Sequence, residues 1–176
     1  MTRLLAFLAA ILFAGCASVE TAAPIAGGAS FAGRLSLRVE PLGATPARAF
    51  SAAFDLRGGP STGTLGLSTP LGSMLAQARW QPGTVVLATP QSTREFADLD
   101  GLTREVLGES VPIAAWFDWL QGRPWPGAPS AARAAGPGFD QLGWSVDLAR
   151  VAEGAVSATR RAPPPAVSVR IQLDGS

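Results

Sequence analysis

Phe31-Ala32-Gly33-Arg34-Leu35-Ser36-Leu37-Arg38-Val39 puts Phe31, Leu35, Leu37 and Val39 on one side of an extended chain and Arg34, Ser36 and Arg38 on the other. Apolar residues at every second position mark a half-buried strand, because successive side chains point to opposite faces. The same rhythm runs downstream. Phe50, Ala52, Phe54 and Leu56 alternate with Ser51, Ala53, Asp55 and Arg57, and Leu65 and Leu67 follow the turn signal Gly58-Gly59-Pro60. Further strands are expected around 73–80 and 84–88, joined by Gln81-Pro82-Gly83, and near the C-terminus over Val167, Val169, Ile171 and Leu173. A run with Leu142, Trp144, Val146 and Leu148 on one face reads as another strand. Short strands with turn signals at this spacing predict an antiparallel barrel or sandwich.

Between about 98 and 121 the period becomes that of a helix. Leu99, Leu102, Val106 and Leu107 share a face, Asp98 or Asp100 can cap its start and Gly108 can end it. A second short helix starts near Pro112 and carries Ile113, Trp116, Phe117 and Leu120 at i, i+3, i+4 and i+7 before Gly122 and Pro124. The Ala-, Pro- and Gly-rich stretch 125–138 reads as a loop. The helices are therefore an insert in a mainly β chain.

Composition removes several chemistries. The 176 residues hold 14 Arg and no Lys against 13 acids, one Cys and no His. A histidine-assisted nucleophile is impossible, the usual zinc ligand sets cannot be assembled, and no disulfide can form within the chain. The arginines are scattered singly along a nearly neutral chain, which argues against nucleic acid as a partner. Asp98, Asp100, Glu105 and Glu109 form the one dense acidic group, and their places at helix starts and on solvated faces suit capping and the helix dipole better than paired-carboxylate catalysis. Neither a phosphate-cradling glycine loop nor a nucleophile elbow is present, so no enzyme activity is expected.

The first 15 residues have the layout of a signal peptide: Arg3, an apolar run from Leu4 to Phe13, then small residues up to Cys16. The run is half the roughly twenty residues a membrane-spanning helix needs. Phe13-Ala14-Gly15-Cys16 resembles a bacterial lipobox, which would make Cys16 the lipidated first residue of the mature chain. Ala17 and Ser18 in place of Asp favour the outer membrane by resemblance to bacterial sorting signals. Residues 16–30 read as a tether rich in small residues, and 31–176 as one domain.

Two features leave alternatives open. The aromatic cluster Trp116, Phe117, Trp119 and Trp125 is either core or the closure of a ligand cavity, since apolar pockets in barrel mouths take ligands. In Thr69-Pro70-Leu71-Gly72, Leu71 either folds back onto the sheet or protrudes as an apolar tip toward lipid or a partner.

The ordered set Thr69-Pro70-Leu71-Gly72-Ser73, Gln81-Pro82-Gly83-Thr84-Val85-Val86-Leu87, Gly108-Glu109-Ser110-Val111-Pro112-Ile113, Trp119-Leu120-Gln121-Gly122-Arg123-Pro124 and Gln141-Leu142-Gly143-Trp144-Ser145-Val146 resembles the LolB family of outer-membrane lipoprotein receptors. The resemblance implies a half-open, strongly curved antiparallel β-barrel with an α-helical lid over an apolar cavity. It implies a monomer that takes triacylated lipoproteins from the periplasmic carrier LolA and inserts them into the inner leaflet of the outer membrane, with no cofactor or metal. Pro70, Leu71 and Gly72 would form the membrane-delivery loop. On strand parity and helix spacing, the cavity lining is expected from Leu35, Leu37, Phe50, Phe54, Leu65, Leu67, Trp144 and Val146, with Trp116, Phe117 and Leu120 from the lid. The rival is a scaffold lipoprotein of outer-membrane assembly with a closed core.

Overall fold

In the computed structural model, which describes residues 28–175, the alternating stretch lies in a central strand, β1 (Ala29–Val39), with its even-numbered neighbours outward and Leu35, Leu37 and Val39 buried. It is flanked by β2 (Arg48–Gly58) and by the last strand of the chain. The other strands are β3 (Gly63–Ser68), β4 (Met74–Gln81), β5 (Thr84–Ala88), β6 (Thr93–Phe96), β7 (Ser130–Ala132), β8 (Gly138–Gln141), β9 (Trp144–Asp147), β10 (Ala155–Arg160) and β11 (Val167–Leu173). Among the described residues they form one eleven-stranded antiparallel sheet in the order β6-β5-β4-β3-β2-β1-β11-β10-β9-β8-β7. Every pairing joins chain neighbours by a hairpin or short corner, except β1 with β11.

This order leaves β6 and β7 as the two edges, and the segment between them in sequence is the helical insert, α1 (Leu99–Leu107) and α2 (Ile113–Trp119). The sheet is open and curved, and the helices cross its apolar face from one edge to the other. The expected α1 start and stop are both present. The Asp98 carboxylate accepts the Gly101 N–H at 2.6 Å, and Gly108 ends the helix with φ 76, a left-handed conformation that glycine adopts without a Cβ clash.

α2 supplies the core. Ile113, Ala115, Trp116, Phe117, Trp119 and Leu120 are all buried, so nearly the whole helix surface is covered rather than one stripe. Phe117 packs edge-on against Trp80 of β4, with ring centroids 6.1 Å apart, and lies 6.4 Å from Phe31 of β1. Trp80 in turn lies over Gly63, where a Cβ would come within 2.5 Å of its ring, and its Nε1–H donates to Gly59 O at 3.1 Å. On the other side, Trp119 meets Phe139 and Trp144 at 6.2 and 6.4 Å.

Two expectations about the C-terminal half are corrected. The stretch 125–138 is not wholly loop, because Ser130–Ala132 adds the edge strand β7 to β8. Leu142 is not on the buried face of a strand: Leu142 and Gly143 form a two-residue hairpin turn with φ 54 and 76, and Leu142 is exposed. Gln141 and Trp144 are thereby paired across the hairpin and point inward together, although simple parity would put them on opposite faces.

Candidate functional site

The inner face of the sheet is filled unevenly. Over β8–β11 the space is occupied by Trp119, Leu120, Phe139 and Trp144, leaving a void of only about 10 Å³ beside Leu120, too little for a ligand. Over β1–β5 the side chains are shorter, and an open cavity of about 690 Å³ remains between the sheet and α1, within the size range of small-molecule sites. Its walls are almost entirely aliphatic or aromatic.

Leu35 and Leu37 from β1, Phe50 from β2, Leu65 and Leu67 from β3, and Trp116 from α2 line this cavity. Phe54, Phe117, Trp144, Val146 and Leu120 do not. Parity puts Phe54 on the inner face, but its register partner is Gly33, toward the end of the sheet that Phe117 plugs against Phe31 and Trp80. Trp144 and Val146 belong to the filled half, where Val146 pairs with Phe139 and Ala158. The structure adds residues absent from the expected lining: Ala76 and Ala78 of β4, Leu87 of β5, and Leu102, Val106 and Leu107 of α1. The common face of Leu102, Val106 and Leu107 was visible in the helical spacing, whereas the run Val85-Val86-Leu87 gives no alternation that would single out Leu87. What was not visible is that Val106 stays 47% exposed at the cavity mouth.

The lid is fixed at three points. Thr103, buried in α1, accepts the Val111 N–H at 3.2 Å and so folds the α1–α2 connection back on the helix. Glu109 in that connection pairs with Arg160 of β10, both largely buried, and the guanidinium lies 5.9 Å over the Trp144 ring. Gln141 anchors the far end of the lid: its Oε1 accepts Trp119 Nε1–H (2.8 Å) and Trp125 N–H (2.9 Å), while its Nε2 donates to Trp125 O (2.7 Å) and Ala128 O (2.8 Å). The acidic group is accounted for in the same way. Asp98 caps α1, Asp100 accepts from Arg104 and Ser110, and Glu105 pairs with Arg94.

β3 and β4 line the cavity and then leave it as a hairpin whose tip is Thr69-Pro70-Leu71-Gly72-Ser73. The tip is stiff. Thr69 O accepts the Gly72 N–H and the Thr69 N–H donates to Ser73 O, both at 2.9 Å, while Thr69 Oγ1 accepts the Ser73 N–H at 3.1 Å. Gly72 has φ 84, suited to glycine. Leu71 is 95% exposed, so it does not fold back onto the sheet. The ladder shifts by one residue below the tip, where Ser68 pairs with Met74 instead of Leu75, and both Leu75 and Ala76 then face the cavity.

Cys16, the signal segment 1–15 and nearly all of the tether 16–30 lie outside the described residues. Among the described residues no helix is long and apolar enough to cross a membrane.

Comparison with known proteins agrees with this architecture. The family model described as outer membrane lipoprotein LolB matches residues 30–174. The chain is similar to the outer-membrane lipoprotein LolB of Chromobacterium violaceum, 32% identical over 160 residues that cover 86% of this chain and 84% of that protein. It is also similar to that of Bordetella petrii, 34% identical over 147 residues (79% and 73%), and that of Thiobacillus denitrificans, 30% identical over 158 residues (82% of each). With the match running from β1 through β11, the chain belongs to the outer-membrane lipoprotein LolB family.

Proposed function

We propose that this protein is anchored by lipid on Cys16 at the periplasmic face of the outer membrane, accepts triacylated lipoproteins from a LolA-like periplasmic carrier, and inserts them into the inner leaflet. The observation that carries this reading is the apolar cavity of about 690 Å³ left open between β1–β5 and the lid. Acyl chains entering it leave water with a gain of about 0.8 kcal/mol per CH₂. A cavity with mostly apolar walls, where Arg48, Thr89 and Thr103 are the polar residues among those that line it, holds chains of differing length by burial more than by fixed polar contacts, which suits a protein that must also release them. Transfer from one such cavity to another requires only a difference in affinity, and insertion into the bilayer removes the product. No bond is made or broken, so the protein acts as a receptor and not as an enzyme.

Leu71 is the delivery element in this reading, with Pro70 and Gly72 shaping the turn that exposes it. It sits at the tip of the hairpin whose stem forms the cavity wall, so one stiff unit links bound acyl chains to the bilayer surface. A scaffold lipoprotein with a closed core is the less favoured account, because the apolar walls around Phe50 and Leu67 are left uncovered.

The test mixes the chain from Ala17 onward, which keeps all of the sheet, core and lid, with carrier loaded with a triacylated lipoprotein. Pull-down then reports where the lipoprotein resides. Cargo found on this protein supports the receptor reading. Cargo that stays on a competent carrier while this protein is folded by circular dichroism overturns it. Leu71→Glu in the lipidated protein should accept cargo normally yet fail to deliver it to vesicles.

A further inference from the structure

On the opposite side of the sheet from the acyl cavity lies a second cleft, of about 610 Å³, whose lining sets arginine and serine side chains among apolar ones. The register across four strands builds it from two rows. Ser51, Ser36, Arg170 and Ser157 are successive partners across β2, β1, β11 and β10, and Ala53, Arg34, Gln172 and Ala155 form the next row. Short side chains make the floor low, while Pro70 rises on one side and the corner 147–150 on the other. Two guanidinium groups, Arg34 and Arg170, stand diagonally across the adjoining strands β1 and β11. Both are exposed, and neither is in an ion pair among the described residues. The other charged groups on the rim are matched: Asp147 with Arg133, and Arg150 with Glu153. The cleft therefore has an uncompensated positive charge of two and hydroxyl groups within it, on a chain whose formal charge is only +1.

Pro70, which lines this cleft, immediately precedes Leu71. We propose that the cleft binds the phosphate of an anionic phospholipid headgroup when the Leu71 tip is in the bilayer. A tip that places one leucine side chain among acyl chains holds the next few ångströms of the hairpin at headgroup depth, and that is where Pro70 and the mouth of the cleft lie. Guanidinium groups pair well with phosphate oxygens, and serine hydroxyls donate to the oxygens that remain. The site makes productive docking depend on an oriented headgroup contact as well as on one buried leucine. This inference rests on the reading of Leu71 as a membrane tip, but its test separates the two.

The chain from Ala17 onward is floated with vesicles of phosphatidylcholine alone and of phosphatidylcholine doped with phosphatidylglycerol, at low and high salt. Each arginine near an anionic surface is expected to contribute about fivefold in partitioning, so Arg34→Gln with Arg170→Gln should lose about twenty-five-fold on the doped vesicles at low salt. The loss should shrink at high salt and be absent on phosphatidylcholine alone. Arg79→Gln is the control for loss of one charge, set against Arg34→Gln and Arg170→Gln singly: Arg79 is exposed on β4, in register with Thr64 near the end of β3 distant from the turn. Leu71→Glu should weaken binding to both vesicle types, and no effect there would remove the membrane-tip reading while leaving the arginine result to be judged alone. The proposal is overturned if Arg34→Gln and Arg170→Gln singly each lose no more than Arg79→Gln, or if the double variant loses equally on both vesicle types. It is also overturned as a lipid site if inorganic phosphate raises the melting temperature of the parent but not of the double variant while vesicle binding is unchanged. Cargo uptake from the carrier should be the same in the double variant, so a failure of the receptor reading would appear separately.

Discussion

Leu142 occupies the first central position of a two-residue hairpin with φ 54, a conformation that costs an ordinary L-residue about 1–2 kcal/mol and an asparagine less. Its side chain is exposed and so gains little in return. Leu142→Asn should therefore raise stability by about 1 kcal/mol in urea denaturation. One residue earlier the sign reverses. Gln141 is buried and all four of its hydrogen bonds go to Trp119, Trp125 and Ala128, so Gln141→Ala strands an indole N–H and two backbone groups, while Trp125 O keeps the Ala128 N–H. Trp119 Nε1–H, Trp125 N–H and Ala128 O lose their partner, and at about 1–3 kcal/mol for each group that water cannot reach the loss should be about 3 kcal/mol, measured the same way. Asp147 provides a pH-dependent case. Its carboxyl is held below the usual carboxylate range, first by the Ala149 N–H at 2.9 Å and then by Arg133. A depressed carboxyl stabilises the fold at pH above its unfolded value of about 3.9, and that contribution is lost as pH falls toward the folded value. The stability difference between the parent and Asp147→Asn should thus be constant near neutrality and shrink below about pH 4.

At the level of elements, legibility follows contrast between the two faces. β1 and β2 alternate large apolar residues with polar or small ones, and α1 carries its own cap and stop, so all three were readable. β10 has only Val156 and Ala158 to mark its inner face, and its third inward residue is Arg160, a charge that alternation counts as outward. β7 is three small exposed residues and exists only because β8 offers an edge. The lid's attachment was equally hidden, since Glu109 and Arg160 are 51 positions apart. It has a measurable consequence. Asp98→Ala should cost about 1 kcal/mol, the ordinary value of an N-cap. Glu109→Ala leaves a buried guanidinium without its partner and should cost about 3 kcal/mol or more. Replacing both members of the pair by methionine should restore much of that loss, because the desolvated charge is removed together with its partner. Thermal unfolding of the single and double variants checks the order.

Across β1–β3, parity told inside from outside but not how far along each strand the lid would fill the space. Phe50 and Phe54 have the same parity on the same strand, yet only Phe50 faces the cavity, because Phe117 is docked against Phe31 and Trp80 at the other end. This decides how the acyl-chain proposal must be probed. Phe54→Asp or Leu120→Asp would place a charge in packed core and should unfold the protein, so loss of cargo binding there says nothing about the cavity. Ala76 and Leu67 face open space instead. Ala76→Phe should push an aromatic ring into the cavity with no close-packed neighbour to displace, leaving stability unchanged or slightly raised while apolar surface is buried. Its uptake of triacylated lipoprotein from the carrier should fall at least about tenfold, corresponding to roughly 1.4 kcal/mol of lost affinity. A variant that is as stable as the parent and takes up cargo equally well would show that the acyl chains are held somewhere other than between β1–β5 and α1.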